Sequence, residues 1–508
     1  MFLVLLLLAL GAIAAPAADA DTRPTVTLAN GVIVGTAIPG ANQFLGIPFA
    51  QSPPLIFAPP QPAQSWKKPL DASKLPNTCI QQFNDGNSKQ FSMKLFNNPT
   101  GPLLTESEDC LYVNVYAPQT KSTGKAVMAW MYGGSLQFGS ASTIFYNGSS
   151  FARDQDIILV AMNYRTNVFG FSNSPEIALG SQNAGFLDQR TALQWIQQNI
   201  VQFGGDPKKV TIFGLSAGGY SVMQLLAVPP SPLTNRAAIM GSEGALAEPY
   251  PSAAWEELVA LVNCTTAISQ LACVRKIPAT RIQNVIEANV INFLPAFDGV
   301  TAVSNVLPLF DTGRVAKVPM MTGTNANDGT VFAHIILLIG NITLSEYLSP
   351  IFPASVVDEV AAAFSTGTVY DQLSNFITHF TFQCPTKPLT EAATKAGYSI
   401  WRYYYEAYFP NLTPFNGAKA FHFSETPEVF NDFPCKGATS QEIALGRHMQ
   451  SIWARFAKNP GSPGWASVAD GVLQDIGHNG SRGGKRIATS AVDHSCAIFD
   501  PIFNVSGP

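Results

Sequence analysis

A serine lies in a tight, glycine-rich turn directly after a short apolar stretch suited to a β-strand. The sequence VTIFGLSAGGY covers residues 210–220, and Ser216 stands between Gly214 and Gly218. Such a turn either meets the backbone geometry of a strand–helix connection or presents the hydroxyl group as a nucleophile at the carboxyl edge of a sheet. A lone G-x-S-x-G also arises by chance, so the rest of the chain has to discriminate between these interpretations.

An unassisted serine hydroxyl is a poor nucleophile, and a histidine and an acidic residue must activate it. When the serine stands in a strand–helix turn, the acid and then the histidine follow it along the chain. All six histidines come after the serine: His334, His379, His422, His448, His478 and His494. Spacing alone does not choose among them, because a lone histidine is more often structural than catalytic.

Apolar runs rich in β-forming residues recur along the chain and would position these side chains. They occupy residues 126–131, 157–162, 210–213, 236–240, 318–322 and 398–405. Helical patterns lie between several of them, most clearly over 187–199. Continuous apolar strands that alternate with helices are typical of an α/β fold with a large, mostly parallel central sheet and helices on both faces. Residues 330–397 are richer in helical patterning, which predicts a helical insertion over one end of the sheet.

Length and composition indicate one large domain after an export signal. The chain has 508 residues, of which 46% are hydrophobic and 13% charged. Length alone favours roughly three domains, but no linker, charge block or repeat marks a boundary. Residues 1–20 combine a short apolar run with small residues suited to signal peptidase. We therefore predict a cleaved signal peptide over 1–20 and a single domain over 21–508.

Other features agree with a secreted, extracellular protein. Asn-x-Ser/Thr sequons make six asparagines candidates for glycosylation: Asn147, Asn263, Asn341, Asn411, Asn479 and Asn504. In an exported protein, the seven cysteines indicate a few disulfides and one unpaired residue. No C-x-x-C pair or cluster of histidines, cysteines and carboxylates has metal-ligand spacing, so no metal is expected.

The same composition excludes several classes of partner. The net charge is −4 and no basic stripe occurs, so nucleic acid is not an expected partner. No apolar run beyond the predicted signal is long enough to span a membrane.

Five segments occur in order between residues 44 and 219. They read FLGIPFA (44–50), EDCLYVNVYAP (108–118), NYRTNVFGF (163–171), NAGFLDQRTALQWIQQNI (183–200) and FGGDPKKVTIFGLSAGG (203–219). The set resembles the type-B carboxylesterase/lipase family of α/β-hydrolases, particularly its secreted fungal members, and the match runs from about residue 25 to past 430. The resemblance implies an α/β-hydrolase fold, a catalytic domain over 21–508 and hydrolysis of carboxylic esters without a cofactor.

The resemblance assigns the nucleophile to Ser216 and the base to His422. The family's histidine motif reads HFSETPEVF here, over residues 422–430. Phe423 stands where the family has a glycine after its histidine. The other five histidines are then expected to have structural roles.

The acid implied by the resemblance is Asp328. The family's G-x-x-x-D-E-G-[ST] stretch reads GTNANDGT here, over residues 323–330. The family usually has glutamate at this position, so its loop must approach the histidine more closely or the hydrogen bond must be longer. Asp298, in PAFDG (295–299), is the alternative acid, although that segment matches a non-catalytic stretch of the family.

The family's oxyanion hole maps to the segment YGGSL, residues 132–136, together with the residue after the nucleophile. Its three amide donors would be those of Gly134, Ser135 and Ala217. Ser135 replaces a family glycine, but a backbone amide donates whatever its side chain. Leu215 stands where the family commonly has glutamate, which favours neutral, apolar esters over cationic choline esters.

The resemblance also implies disulfides. They would join Cys79 to Cys110 and Cys264 to Cys273, and Cys384 to either Cys496 or Cys435. The loop closed by the first pair contains KQFSMKLF (89–96). This segment is either a short helix packed on the body or a lid whose apolar face turns toward lipid at an interface.

The expected partner is a small-molecule ester, in solution or at a lipid interface. General carboxylesterase, lipase, sterol esterase and feruloyl-type esterase all stay open, because distant loops build the pocket that sets substrate preference. A non-catalytic adhesion or binding protein on the same fold is the alternative of another class, and the persistence of serine, acid and histidine argues against it. The sequence leaves the oligomeric state open.

Overall fold

The computed structural model covers most of the predicted domain. It describes residues 23–99, 101–244, 251–478 and 484–503. The predicted signal peptide over 1–20 and the sequons at Asn479 and Asn504 lie outside the described residues. The boundaries of the single domain over 21–508 stay a prediction.

Fourteen strands occur within the described ranges, and eleven of them form one sheet. The strands are β1 (Thr25–Leu28), β2 (Gly31–Val34), β3 (Thr36–Ile38), β4 (Ala41–Pro48), β5 (Leu70–Asp71), β6 (Tyr112–Pro118), β7 (Lys125–Met131), β8 (Ile158–Met162), β9 (Gly205–Leu215), β10 (Ala237–Gly241), β11 (Met320–Asn325), β12 (Ile400–Tyr405), β13 (Val472–Ile476) and β14 (Lys485–Ala488). The large sheet has the order β14-β13-β12-β11-β10-β9-β7-β8-β6-β4-β3, and β1, β2 and β5 form a small separate sheet.

The centre of the large sheet is parallel and its edges are antiparallel. The seven strands from β13 to β8 in the sheet order run parallel to one another, whereas β14 at one edge and β6, β4 and β3 at the other are antiparallel. Each of the six predicted apolar runs lies wholly or largely in one of the strands β7 to β12. Their side chains are continuously apolar because both faces of the parallel region are covered.

Helices cover both faces of this sheet. They are α1 (Lys89–Phe96), α2 (Ser149–Gln155), α3 (Asn167–Gly170), α4 (Ala184–Asn199), α5 (Ala217–Ala227), α6 (Pro251–Leu261), α7 (Gln270–Val274), α8 (Ala279–Ala288), α9 (Leu307–Asp311), α10 (Gly329–Ile339), α11 (Leu344–Leu348), α12 (Ala354–Ala363), α13 (Val369–Ile377), α14 (Cys384–Lys395), α15 (Thr426–Phe430), α16 (Ser440–Lys458) and α17 (Asp500–Phe503). None of these described helices is long and apolar enough to cross a bilayer.

Alternate side chains of β7 illustrate how the two cores form. Val127 joins the apolar cluster that contains residues of α4 and α5, such as Leu193. Met128, the next residue, joins the cluster on the opposite face with residues of α16, such as Trp453. Successive side chains of a strand point to opposite faces, so one strand contributes to both cores.

The predicted insertion over 330–397 is helical. It contains α10 to α14, and a third apolar cluster that includes Leu344, Leu373 and Phe376 packs them together. A disulfide between Cys384 and Cys496 joins α14 to the C-terminal part of the described chain. This bond closes 112 residues and therefore constrains the unfolded chain strongly.

The remaining cysteines form two further disulfides and one free thiol. The bonds are Cys79–Cys110, Cys264–Cys273 and the Cys384–Cys496 bond already described. Cys435 is exposed and unbonded in the described structure. Of the two partners that the sequence left open for Cys384, the structure therefore selects Cys496.

The four sequons within the described ranges differ in accessibility. Asn263 and Asn341 are exposed, whereas Asn147 and Asn411 are half-buried. Asn411 Nδ2 also donates a hydrogen bond to Glu442 Oε1 at 2.7 Å. A glycan is therefore accommodated most readily at Asn263 and Asn341.

Candidate active site

Ser216 occupies the junction between β9 and α5. The strand ends at Leu215 and the helix begins at Ala217, so one residue makes the turn. Ser216 adopts φ 57° and ψ −126°, a conformation that non-glycine residues rarely take. Its amide donates to the carbonyl oxygen of Gly241 at the end of β10, at 2.7 Å. The half-buried serine therefore lies at the carboxyl edge of the parallel strands.

The glycines on either side of Ser216 permit close packing of backbone. A Cβ atom at Gly218 would lie 2.1 Å from the carbonyl oxygen of Met131 on β7. A Cβ atom at Gly214 would lie 2.4 Å from the carbonyl carbon of Gly218. Side chains at these positions would push α5 away from the sheet, which agrees with the steric reason expected for this motif.

His422 and Asp328 form a buried hydrogen-bonded pair. Asp328 immediately precedes α10, and His422 lies between β12 and α15. His422 Nδ1 lies 2.8 Å from Asp328 Oδ1, so the shorter aspartate reaches the imidazole without a long hydrogen bond. A carboxylate accepts a hydrogen bond from the protonated Nδ1 of a neutral imidazole, and in that tautomer Nε2 carries the lone pair.

Two donors that the sequence analysis missed hold the other oxygen of Asp328. Oδ2 accepts from Ser242 Oγ at 2.9 Å and from the amide of Asn325 at 2.8 Å. Ser242 directly follows β10 and has φ 39°. The only sequence signal for it was a polar side chain after a predicted strand. These contacts fix the orientation of the carboxylate toward the imidazole.

Ser216 and His422 line one cavity together with the loop that follows β7. This Ser216 pocket is small, with a volume of about 40 Å³. Gly134 and Ser135 line the same pocket, with φ 117° and 55° respectively. Most of its other walls are aromatic: Phe96, Phe138, Tyr146, Phe332 and Phe423. The predicted nucleophile, base and oxyanion loop are thus brought together.

Asp298, the alternative acid, organises its own loop instead. Its Oδ1 accepts from the amides of Val300, Thr301 and Ala302 at 2.9, 2.6 and 3.0 Å. Among the described histidines, only His422 pairs with Asp328. His334, for example, stacks on the ring of Phe415 with centroids 4.0 Å apart.

A second, larger cavity lies beside α5 and has a volume of about 750 Å³. Tyr220 and Met223 of the helix line it, and five further aromatic residues contribute: Phe297, Tyr347, Phe352, Phe380 and Phe503. Glu243 also lines it, and burial raises the pKa of its carboxyl group to about 8. The group is therefore mostly neutral at pH 7. The sequence analysis missed this buried residue, which follows Ser242 after β10.

One group of side chains in the described residues has the composition of a metal site. Glu406, Asp475 and His478 offer ligand atoms within 4.8 Å of one another. The imidazole Nδ1 already lies 2.6 Å from Glu406 Oε2 and 3.2 Å from Asp475 Oδ2. The hydrogen bond between His478 and Glu406 accounts for this contact, and we assign no metal to the cluster.

The family assignment rests on the whole chain as well as on this site. A model of the carboxylesterase family matches residues 22–472. The chain belongs to the carboxylesterase family. The protein is therefore a carboxylic ester hydrolase with the α/β-hydrolase fold, which confirms the predicted family, fold and activity class.

Several relatives align with this carboxylesterase over most of both chains. It is 30% identical to the para-nitrobenzyl esterase of Bacillus subtilis (strain 168), across 88% of this chain and 92% of the relative. It is 31% identical to secreted lipase 1 of Botryotinia fuckeliana (strain B05.10), across 84% of each chain. It is 32% identical to the cholinesterase of Mus musculus, across 85% of this chain and 78% of the relative.

Proposed function

We propose that this carboxylesterase hydrolyses neutral, apolar esters through a triad of Ser216, His422 and Asp328. The observation that carries the proposal is the joint geometry of these residues. Ser216 and His422 line one pocket, and the imidazole is hydrogen-bonded at 2.8 Å to a carboxylate that two further donors orient. Such a serine, base and orienting acid is the arrangement that activates a hydroxyl group.

The mechanism proceeds in two halves. His422 Nε2 takes the proton of Ser216 as Oγ attacks the ester carbonyl, and Asp328 stabilises the imidazolium. The amides of Gly134, Ser135 and Ala217 bind the oxyanion. The imidazolium protonates the alcohol, which leaves an acyl-serine. A water molecule, deprotonated by His422, then attacks the acyl group and releases the acid.

The walls of the site support apolar, uncharged substrates. Leu215 is a buried residue in the wall of the Ser216 pocket, where a carboxylate would favour a cationic substrate. The Ser216 pocket and the larger cavity beside α5 are mostly aromatic and aliphatic, and Glu243 is mostly neutral at pH 7. General esterase and lipase activities fit these walls, and feruloyl or sterol esters are the alternative substrates.

We further propose that the protein is secreted. The three disulfides fit an oxidising compartment. A relative that is 31% identical bears the name secreted lipase 1. The apolar segment over 1–20 is the proposed signal peptide.

The test compares wild type with Ser216→Ala on p-nitrophenyl esters from acetate to palmitate, with methyl ferulate and cholesteryl oleate alongside. We expect the variant to lose about 10⁴–10⁶ in kcat and to keep the wild-type Tm, because the half-buried side chain adds little core packing. Retention of even a tenth of wild-type turnover by a purified variant would refute the nucleophile assignment. The profile of the wild-type enzyme identifies the substrate class.

A further inference from the structure

A second cavity adjoins the Ser216 pocket at a single side chain. This side cavity has a volume of about 220 Å³ and lies between α1 and the loop that leads to α15. Its apolar walls include Phe91, Leu95, Phe145, Leu412 and Phe421. Among the described residues, Phe423 alone lines both the side cavity and the Ser216 pocket. Phe423 therefore lies at the boundary between the two cavities, as a partition.

The backbone at Phe423 is strained. Its φ is 91°, in the left-handed region that favours glycine. The side chain is nevertheless buried, and its ring lies 6.1 Å from that of Phe145 and 6.2 Å from that of Tyr146, measured between centroids. A phenylalanine in this conformation is destabilising relative to glycine, and strain of this kind is typically kept at functional sites.

Phe423 lies close to the predicted reacting atoms. Phe423 directly follows His422, so its ring sits beside the predicted base rather than at the periphery of the site. An ester has two groups, one on each side of its reacting carbonyl. The Ser216 pocket is smaller than the side cavity, so the pocket, closed by Phe423, has room for only a compact group on that side of the carbonyl.

We propose that Phe423 determines the substrate specificity of the site by closing the side cavity to the ester. The wild-type enzyme then accepts a short alkyl group on one side of the carbonyl. The side cavity is a latent subsite for an unbranched alkyl chain, and it becomes available when the ring is removed. This inference rests on the proposed serine-esterase function.

The test uses Phe423→Gly, with Phe423→Leu as the matched control that keeps a bulky apolar side chain. Two ester series are compared: p-nitrophenyl esters with acyl chains from two to sixteen carbons, and n-alkyl acetates with alcohols of increasing length. Each methylene that enters the side cavity should raise kcat/KM about fourfold. In one series, the ratio of kcat/KM for long over short chains should rise at least tenfold in Phe423→Gly and stay at the wild-type value in Phe423→Leu. The series that responds identifies the side of the ester that faces Phe423.

A binding measurement separates this inference from the proposed mechanism. In the Ser216→Ala background, decanol and decanoic acid should raise the Tm more in Phe423→Gly than in the protein with Phe423. If Phe423→Gly does not fold, Phe423→Ala takes its place. Unchanged chain-length ratios and unchanged Tm shifts would overturn the role of Phe423. Undiminished hydrolysis by Ser216→Ala would instead overturn the proposed triad.

Discussion

Several non-glycine residues with positive φ angles lie at or near the Ser216 pocket. They are Ser216 itself, Ser135 in the loop after β7, Phe423 and Ser242, which holds Asp328. Each such conformation costs on the order of 1–3 kcal/mol and persists only where the surrounding structure imposes it. The individual residues are therefore positioned by the packing of β7, β9 and β10 rather than by local preference.

Asp328 and Asp298 should respond differently to loss of charge. Asp328→Asn should keep the side-chain shape but favour the wrong tautomer of His422, with a loss of about 10⁴ in kcat. Asp298→Asn should lower the Tm, because its carboxylate accepts three amides of its own loop, while kcat changes little. Steady-state kinetics and thermal unfolding of both variants provide the test, and the reverse ranking in kcat would move the acid to Asp298.

Ser135 should tolerate replacement by glycine. Its backbone amide is the proposed donor, and its φ of 55° is strained, so Ser135→Gly should preserve kcat/KM and raise the free energy of unfolding by about 1 kcal/mol. Ser135→Ala is the control that removes the hydroxyl and keeps the strain. A thousandfold fall in kcat/KM in both variants would show that the hydroxyl group itself binds the substrate or the oxyanion.

Among the helices, α1 is the element whose role the sequence left open. It packs on the body of the protein, as expected for the packed-helix alternative. Leu95 is buried, and the centroid of the Phe91 ring lies 4.8 Å from that of His334. Lys89 pairs with Asp85 and Glu287 and so holds the start of the helix. Phe96 at its other end is a wall of the Ser216 pocket. The end of the helix therefore contributes to the pocket wall, and a lid movement stays a prediction.

The lid prediction concerns activity at a lipid interface. The rate on a triglyceride should rise sharply once the substrate exceeds its solubility limit, because α1 would then turn its apolar side chains toward lipid. Phe91→Ser combined with Phe96→Ser should remove this rise, and exposed Lys94→Gln serves as a control on the same helix. Buried Leu95 is left intact because its loss would destabilise the fold. A smooth hyperbolic curve through the solubility limit in every variant would mean that α1 is only a packed helix.

At the scale of the whole molecule, buried carboxyl groups make stability depend on pH. Burial raises the pKa of Glu428 to about 9, helped by the negative charge of Glu442. Burial likewise raises the pKa of Glu425 to about 8, with the charge of Asp328 contributing. In the unfolded chain these groups titrate near 4.3. Between these pKa values the folded state binds more protons than the unfolded state. The stabilisation that these carboxyl groups give is therefore complete below about pH 4.3 and is lost as the pH rises toward 8–9.

In Glu428→Gln, the free energy of unfolding should therefore fall less steeply between pH 5 and pH 9 than it does in the wild type. Each raised carboxyl group lowers the free energy of unfolding by at most about 1.4 kcal/mol per pH unit in this window. Urea denaturation at several pH values measures the slope for wild type and variant. Exposed Glu359→Gln is the control, and its slope should match that of wild type. Equal slopes in all three proteins would exclude a buried, protonated Glu428.

The sequence by itself determined the features that depend on neighbouring residues. Apolar runs predicted the six strands from β7 to β12, and the motifs around Ser216, Asp328 and His422 predicted the family and activity class that the family match confirms. Local patterns suffice here because strand burial and the strand–helix turn depend on residues close together in the chain. The catalytic roles of the three residues stay predictions.

Only the tertiary structure decided the features that join distant segments. It selected Cys496 as the partner of Cys384 and brought Ser242 to Asp328, 86 residues further along the chain. It also placed Phe423, whose backbone is strained, at the boundary between two cavities. Such contacts arise where loops from several strands converge at one edge of the sheet. The periodicity or spacing of residues within one segment does not predict which loops will meet, because the packing of the whole sheet determines the positions of the loops.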